Sequence, residues 1–297
     1  MVSGYLLLTM SLDSAFGTEV DSFTTRSEAL EDATPVLDDE MNRRLGEAID
    51  NANRRHGCND NALAFHIGDQ LRAGLFGAFM ISPLEYYANR SEEVDGRRSH
   101  RRDSIYREVG FFESAPITMY PLGELISVNG HFISGDKFSH FLNVGWSYYR
   151  RVYRSGQSVE EALRWGQETE RGIWGLAVTG VYSNADLVAN FDGMRFWTTI
   201  LGGEDPLEGT LEPLIECVDG HWAMTRPFSW SNWVNAGWDE AMNCNEYAPR
   251  MTHSVSLGMV HPDGGTDYRC PMDPEVCVSL STEYGMYAEF LISSECQ

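Results

Sequence analysis

Two stretches decide the fold: residues 135–154, GDKFSHFLNVGWSYYRRVYR, and residues 183–201, SNADLVANFDGMRFWTTIL. Both carry apolar residues at helical spacing, about 100° apart per residue. In the first, Asp136, His140, Asn143, Ser147 and Arg154 share one stripe. Phe138, Phe141, Leu142, Tyr148, Tyr149 and Val152 fall on the other side. In the second, Asp186, Ala189, Asn190, Gly193, Trp197 and Ile200 line up opposite Asp192, Arg195 and Thr199. The small, apolar stripe should pack inward, and it takes Asp186 and Asn190 with it. Ser183 is the expected helix cap.

Working outward, residues 158–178 form the helix between them, opened by Ser158 and Glu161 at capping-box spacing. Gly166, Gly172 and Gly175 there allow close backbone approach. Upstream, Asn129-Gly130 between two β-prone runs signals a hairpin. A helix opens at Asp38-Asp39-Glu40, runs on Met41, Leu45, Ala48, Ile49 and Ala52, and ends at Gly57. A second covers 60–80. Residues 88–104, Arg-rich (RSEEVDGRRSHRRD), read as an exposed loop that neutralises acidic neighbours. Downstream, 202–228 reads as loop, and 229–243 and 273–292 as helices around an irregular Cys-bearing segment. The expected fold is mainly α: a multi-helix globular bundle with a small β-hairpin and a disulfide-stapled C-terminal segment. Residues 18–203 form the helical core, and 204–297 a Cys-rich segment packed on it.

The chain has 297 residues with 22 Lys+Arg against 44 Asp+Glu, a net charge of −22. That charge opposes binding to nucleic acid or anionic lipid, which need a basic surface. It fits a chain kept soluble by its acidic surface. No run reaches the roughly 18 apolar residues of a membrane span. Lys137 is the single lysine, so an ammonium there suggests a role that a guanidinium does not fill. Cys58, Cys217, Cys244, Cys270, Cys277 and Cys296 make an even set without a C-x-x-C pair, which favours disulfides over zinc. Proximity suggests Cys217–Cys244 and Cys270–Cys277. Residues 1–17, MVSGYLLLTMSLDSAFG, resemble a signal peptide or its remnant. Export to the periplasm or beyond is therefore expected.

A buried carboxylate is costly without a partner. Asp186 therefore needs donors, and Lys137 and His140 on the neighbouring helix are the obvious ones, with Asn190 supporting through its amide. Asp136, one turn from His140, would orient the imidazole. Three readings of this centre stand side by side. In acid–base catalysis His140 is the base, Asp136 its orienter, Lys137 the anion stabiliser, and Asp186 and Asn190 support them. In a metal site His140, Asp136 and Asp186 are ligands, although Lys137 would repel a cation and no second His has ligand spacing. In the third, the network only fixes helix register. His131, at the hairpin end, either joins the centre or is a turn residue. Trp222, Phe228, Trp230, Trp233 and Trp238, beside Asp239 and Glu240, form either a sugar- or peptide-binding platform or core. No phosphate-cradling glycine loop, Gly-x-Ser-x-Gly elbow or His-Glu-x-x-His is present, so no cofactor is expected.

Asp136-Lys137-Phe138-Ser139-His140-Phe141 fits D-K-x-x-H-F, and residues 186–193 fit D-L-x-A-N-x-x-G. These two boxes, in this order, resemble those of VanZ-like proteins and YfiM-like envelope lipoproteins over about 60 residues. In VanZ-like proteins an acid and an Arg stand between the boxes; Glu168, Glu170 and Arg171 occupy that interval here. The resemblance implies a cell-envelope setting and a polar His/Asp/Lys/Asn centre. The expected function is a hydrolase or transferase acting on an envelope phosphate, ester or amide. The alternative is a non-catalytic envelope module. An envelope component is the expected partner, and oligomeric state is not legible.

Overall fold

A computed structural model describes residues 19–72, 81–172, 175–261 and 264–296. The signal-peptide-like residues 1–17 lie outside the described residues. Of the described residues 49% are helical and 9% lie in strands, mainly α as expected.

Helix α1 (Thr34–His56) starts before Asp38, because Pro35 sits in its first turn, where a missing N–H costs nothing. Asn59 caps α2 (Asp60–Leu71) through Ala62 N, and Ser82 caps α3 (Pro83–Ala88) through Glu85 N. The expected helix over 60–80 is described only to Leu71. Strand β1 (Gly96–Arg97) precedes α4 (Ala115–Met119). The expected hairpin is present as β2 (Leu125–Val128) and β3 (His131–Ser134), with β1 added antiparallel to β2. Asn129 (φ 52°) and Gly130 (φ 76°) make the tight turn. Arg97 and Arg98 pair with Glu28 and Glu124, as expected of a neutralising basic loop.

Helix α5 spans 136–154 and is not regular. α-Helical turns at Asp136–Ser139 and Gly145–Tyr149 alternate with π-turns at His140–Val144 and Arg150–Arg154. Gly145 N bonds to His140 O, five residues back. The wider turn shifts the register, so the uniform projection fails after His140 and Asn143 is buried. Helix α6 (Val159–Arg171) carries the full Ser158/Glu161 capping box and stops at Gly172, earlier than expected. Strand β4 (Val181–Tyr182) leads into α7 (Asn184–Leu201), capped by Ser183.

Helix α7 is the axis of the molecule. Every residue from Asn184 to Ile200 is buried, so Asp192, Arg195 and Thr199 do not form a solvent face. Glycines set how close α5 comes. A Cβ on Gly193 would stand 2.0 Å from Phe141 O, and one on Gly145 2.6 Å from Gly193 Cα. The two helices therefore cross backbone against backbone. A Cβ on Gly166 would overlap the Tyr148 hydroxyl, so α6 is equally tight on α5.

The C-terminal segment covers the far side of α7. Residues 202–228 contain an unexpected hairpin, β5 (Ile215–Val218) and β6 (His221–Met224), turning at Asp219 (φ 51°) and Gly220 (φ 80°). Residues 229–243 are not the expected helix but two short 3-10 turns, Trp230–Asn232 and Ala236–Trp238. Ser229 and Asn235 side chains accept the Ser231 and Gly237 N–H groups and compete with helix formation. Trp230 and Trp238 are core, packed edge to face on Phe138 and tilted on Phe141. Strand β7 (Glu246–Tyr247) pairs with β4. Helix α8 (Thr252–Gly258) follows, then α9 (Val276–Tyr284) and α10 (Ala288–Leu291). The expected helix over 273–292 is split after Tyr284, where Gly285 has φ 50°.

The disulfides are Cys58–Cys217, Cys244–Cys270 and Cys277–Cys296, not the pairs that proximity suggested. The β5–β6 hairpin lies on α1, where the Asn53 side chain bonds both ways with the Trp222 backbone. That brings Cys217 to the end of α1 across 159 residues of sequence.

The helix crossing makes two opposite expectations. Gly193→Ala should cost about 3 kcal/mol through overpacking. Gly46→Ala, with nothing within 4 Å of its Cβ in α1, should stabilise by about 0.5–1 kcal/mol. Urea unfolding midpoints measure both; equal midpoints would refute the close crossing.

Candidate functional site

The N-terminal turns of α5 and α7 meet at one point. Lys137 is wholly buried, and its Nζ lies 2.6 Å from Asp186 Oδ1, 2.7 Å from Glu240 Oε1 and 3.4 Å from Asp136 Oδ2. His140 Nε2 lies 3.2 Å from the other Asp186 oxygen, and its Nδ1 lies 3.0 Å from Asn190 Oδ1. All five expected residues are therefore brought together: Asp136, Lys137, His140, Asp186 and Asn190. The π-turn begins at His140, so the Asp136–His140 relation across one helical turn survives.

Exposure divides the roles. The Lys137 side chain has 0% exposure and Asp186 9%, whereas His140 keeps 19% and Asp136 44%. Lys137 is enclosed among carboxylates and does not face a substrate anion, so the expected anion contact is not available to it. Burial alone would lower its pKa. Asp136, Asp186 and Glu240 outweigh that and hold the ammonium well above its ordinary range. Burial opposes the Asp136 carboxylate too, but Lys137 and His140 hold its pKa below the ordinary value. Ser134 Oγ donates to Asp136 as well.

An outer ring of acids was not expected. Glu240 arrives on the segment before β7, held by Asn245 Nδ2 at 2.8 Å. Burial pushes its pKa up against the pull of Lys137. Glu170 is buried beneath the start of α7, accepting from Ser183 N at 3.4 Å, and burial together with Asp186 raises it well above the usual range. Glu168 and Arg171 stay exposed, so Glu170 alone of that interval joins the centre. Glu85, on α3, is buried, and Ser139 Oγ donates to it while accepting from Ser82 N at 2.7 Å. Burial and the nearby Asp136 charge raise Glu85 to about 8. Ser82-x-x-Glu85 has capping-box spacing, which would assign that carboxyl to the backbone. The structure gives it to Ser139 instead.

Asp136 and Glu85 open onto one small cavity of about 30 Å³, rimmed by Glu19, Asn89, Arg98 and Glu124. Asp136, His140 and Asp186 also present ligating atoms within 4.8 Å of one another, a spacing open to a divalent cation. Lys137 already supplies positive charge to both aspartates, so the donor set as it stands suits an ammonium. His131 lies in β3 under the charges of Asp239 and Arg26, and burial lowers its pKa. It takes no part in the contacts just described.

Comparison with family models, with curated proteins and with solved structures finds no match.

Lys137→Met strips the shared counter-charge from buried carboxylates and should cost about 3–5 kcal/mol in denaturant unfolding. An unchanged midpoint would show the ammonium to be dispensable. The pH dependence has a defined sign. Glu85 binds its proton more tightly in the folded state, so its stabilising contribution is complete below pH 4.5 and fades as pH rises through about 8. Melting temperature should therefore fall over that window, and Glu85→Gln should flatten the fall.

Proposed function

We propose that the chain works in the cell envelope, periplasmic or secreted, as a hydrolase or group-transfer enzyme acting through this centre. Three disulfides suit folding in an oxidising setting. Among the described residues no helix is long and apolar enough to cross a membrane. The two boxes that resemble VanZ-like and YfiM-like proteins supply Asp136, Lys137, His140, Asp186 and Asn190, all at one point.

The observation that carries the reading is that Asp136 and Glu85 line one cavity with pKa values displaced in opposite directions. Paired carboxyls of that kind divide into base and acid. Asp136, ionised and half-buried, takes the proton of an attacking water or hydroxyl. Glu85, a neutral acid at neutral pH, gives its proton to the leaving group. His140, Asp186, Asn190 and Lys137 hold the Asp136 carboxylate charged and in place. On the cavity rim burial raises the Glu19 pKa well above the ordinary value, and Arg98 is already paired with Glu124. The rim thus offers a phosphate no free counter-charge, which favours an uncharged ester or amide among the expected substrates.

A second reading has its own support. Lys137 has no exposed surface and both His140 nitrogens are occupied, as in a network that only fixes helix register.

Purified protein incubated with cell-envelope ester and amide fractions, with products followed by mass spectrometry, separates the two. Asp136→Asn and Glu85→Gln should each lower the rate about a hundredfold or more and keep the far-UV spectrum of the parent. Turnover by both variants at the parent rate would sink the acid–base assignment. Absence of any product would favour the structural network.

A further inference from the structure

A second cavity, about 380 Å³, opens on the side of α7 away from Asp186 and Asn190. Its walls are α7 and the segments 208–214 and 226–233. Arg195 forms the floor. Its guanidinium is held by Asp205 at 2.8 Å, Glu208 at 2.9 Å and Asp192 at 3.5 Å. Asp192 is itself fixed by Trp238 Nε1 and the Tyr284 hydroxyl, each at 2.9 Å. The floor is thus a closed ionic network, rigid before any ligand arrives.

Trp233 stands at one end, half-buried. Its ring makes T-shaped contacts with Phe141 (5.5 Å, 66°) and Phe196 (5.9 Å, 89°), and the Arg195 guanidinium lies over it, 6.0 Å from the ring centroid. An indole fixed in this way keeps a defined plane at little entropic cost on binding. Arg226, Glu208 and Asn232 stand exposed around it. Arg195 is taken up by Asp205, Glu208 and Asp192, and Arg226 stands 3.6 Å from Glu212, so neither guanidinium is a free cation. The groove therefore offers no anchor for an anion, and the overall field of a chain of net charge −22 repels one. What the lining offers is a flat aromatic surface beside planar side chains that both donate and accept hydrogen bonds.

We propose that this groove binds an uncharged oligosaccharide, one sugar face on Trp233 and its hydroxyls on Arg226, Glu208 and Asn232. Sugars present an apolar C–H face and a fringe of hydroxyls, and the groove supplies the complement of both. An extended peptide is the weaker fit, because its backbone groups are met best by a strand edge, and none of the lining residues lies in a strand. The proposal does not rest on the acid–base reading, since the groove shares no lining residue with the Asp136 cavity.

The test is titration of the full chain with the neutral tetramer of N-acetylglucosamine and with maltotetraose, followed by tryptophan fluorescence and calorimetry. At least one should give saturable binding. Asn232→Ala and Arg226→Ala, at exposed positions, should each weaken it about tenfold with unchanged melting temperature. Trp233→Ala should abolish it, and Trp233→Phe should retain part. Asp136→Asn and Glu85→Gln should bind as the parent does, which keeps this result separate from failure of the catalytic reading. Absence of saturable binding to either oligomer overturns the proposal. So does binding that Asn232→Ala and Arg226→Ala leave intact, or saturable binding only of a peptide.

Discussion

A single ammonium without exposed surface ties three distant segments together. Lys137 comes from α5, Asp186 from α7 and Glu240 from the stretch before β7. Each carboxylate would be costly alone in the interior, and so would the amine. Together they are tolerable only if all three segments arrive in register. The β4–β7 pairing and the tight α5–α7 crossing secure that arrival. The arrangement explains why the one lysine in an arginine-using chain stands here. A compact ammonium fits between three carboxylates where a planar fork would need more width.

The charge balance at that point is uneven. One ammonium faces three contacting carboxylates, with Glu85 and Glu170 close behind. Burial answers this by raising the pKa values of Glu85, Glu170 and Glu240, Glu85 to about 8, while Lys137 and His140 hold Asp136 down. Stability and proton chemistry are therefore linked in the same residues.

Much of this was legible in the residues. The caps at Ser158 and Ser183 and the turn at Asn129-Gly130 are local chemistry, and local chemistry is read directly from sequence. The inward placement of Asp186 followed from Gly193 and Ala189 on its stripe, and its partners followed from the cost of burying it. The π-turn at His140 was not legible, because it comes from packing α5 against Gly193 and leaves no mark in residue type. Nor was Glu240, which reaches the centre through long-range strand pairing and lies next to tryptophans that suggested a helix. The Asp219-Gly220 turn was a missed signal: Asp-Gly is as good a hairpin marker as Asn-Gly. The burial of Asp192 and Arg195 depends on a C-terminal cover contributed by residues some 40 to 90 positions downstream, such as Trp238 and Tyr284.

The three disulfides join each cysteine to the next one along the chain: Cys58 to Cys217, Cys244 to Cys270, Cys277 to Cys296. A polypeptide threaded N-terminus first into an oxidising space would present its thiols in that order. Joining every newly emerged thiol to the one still waiting then yields the native connectivity without reshuffling. Oxidation in chain order would therefore reach this connectivity unaided.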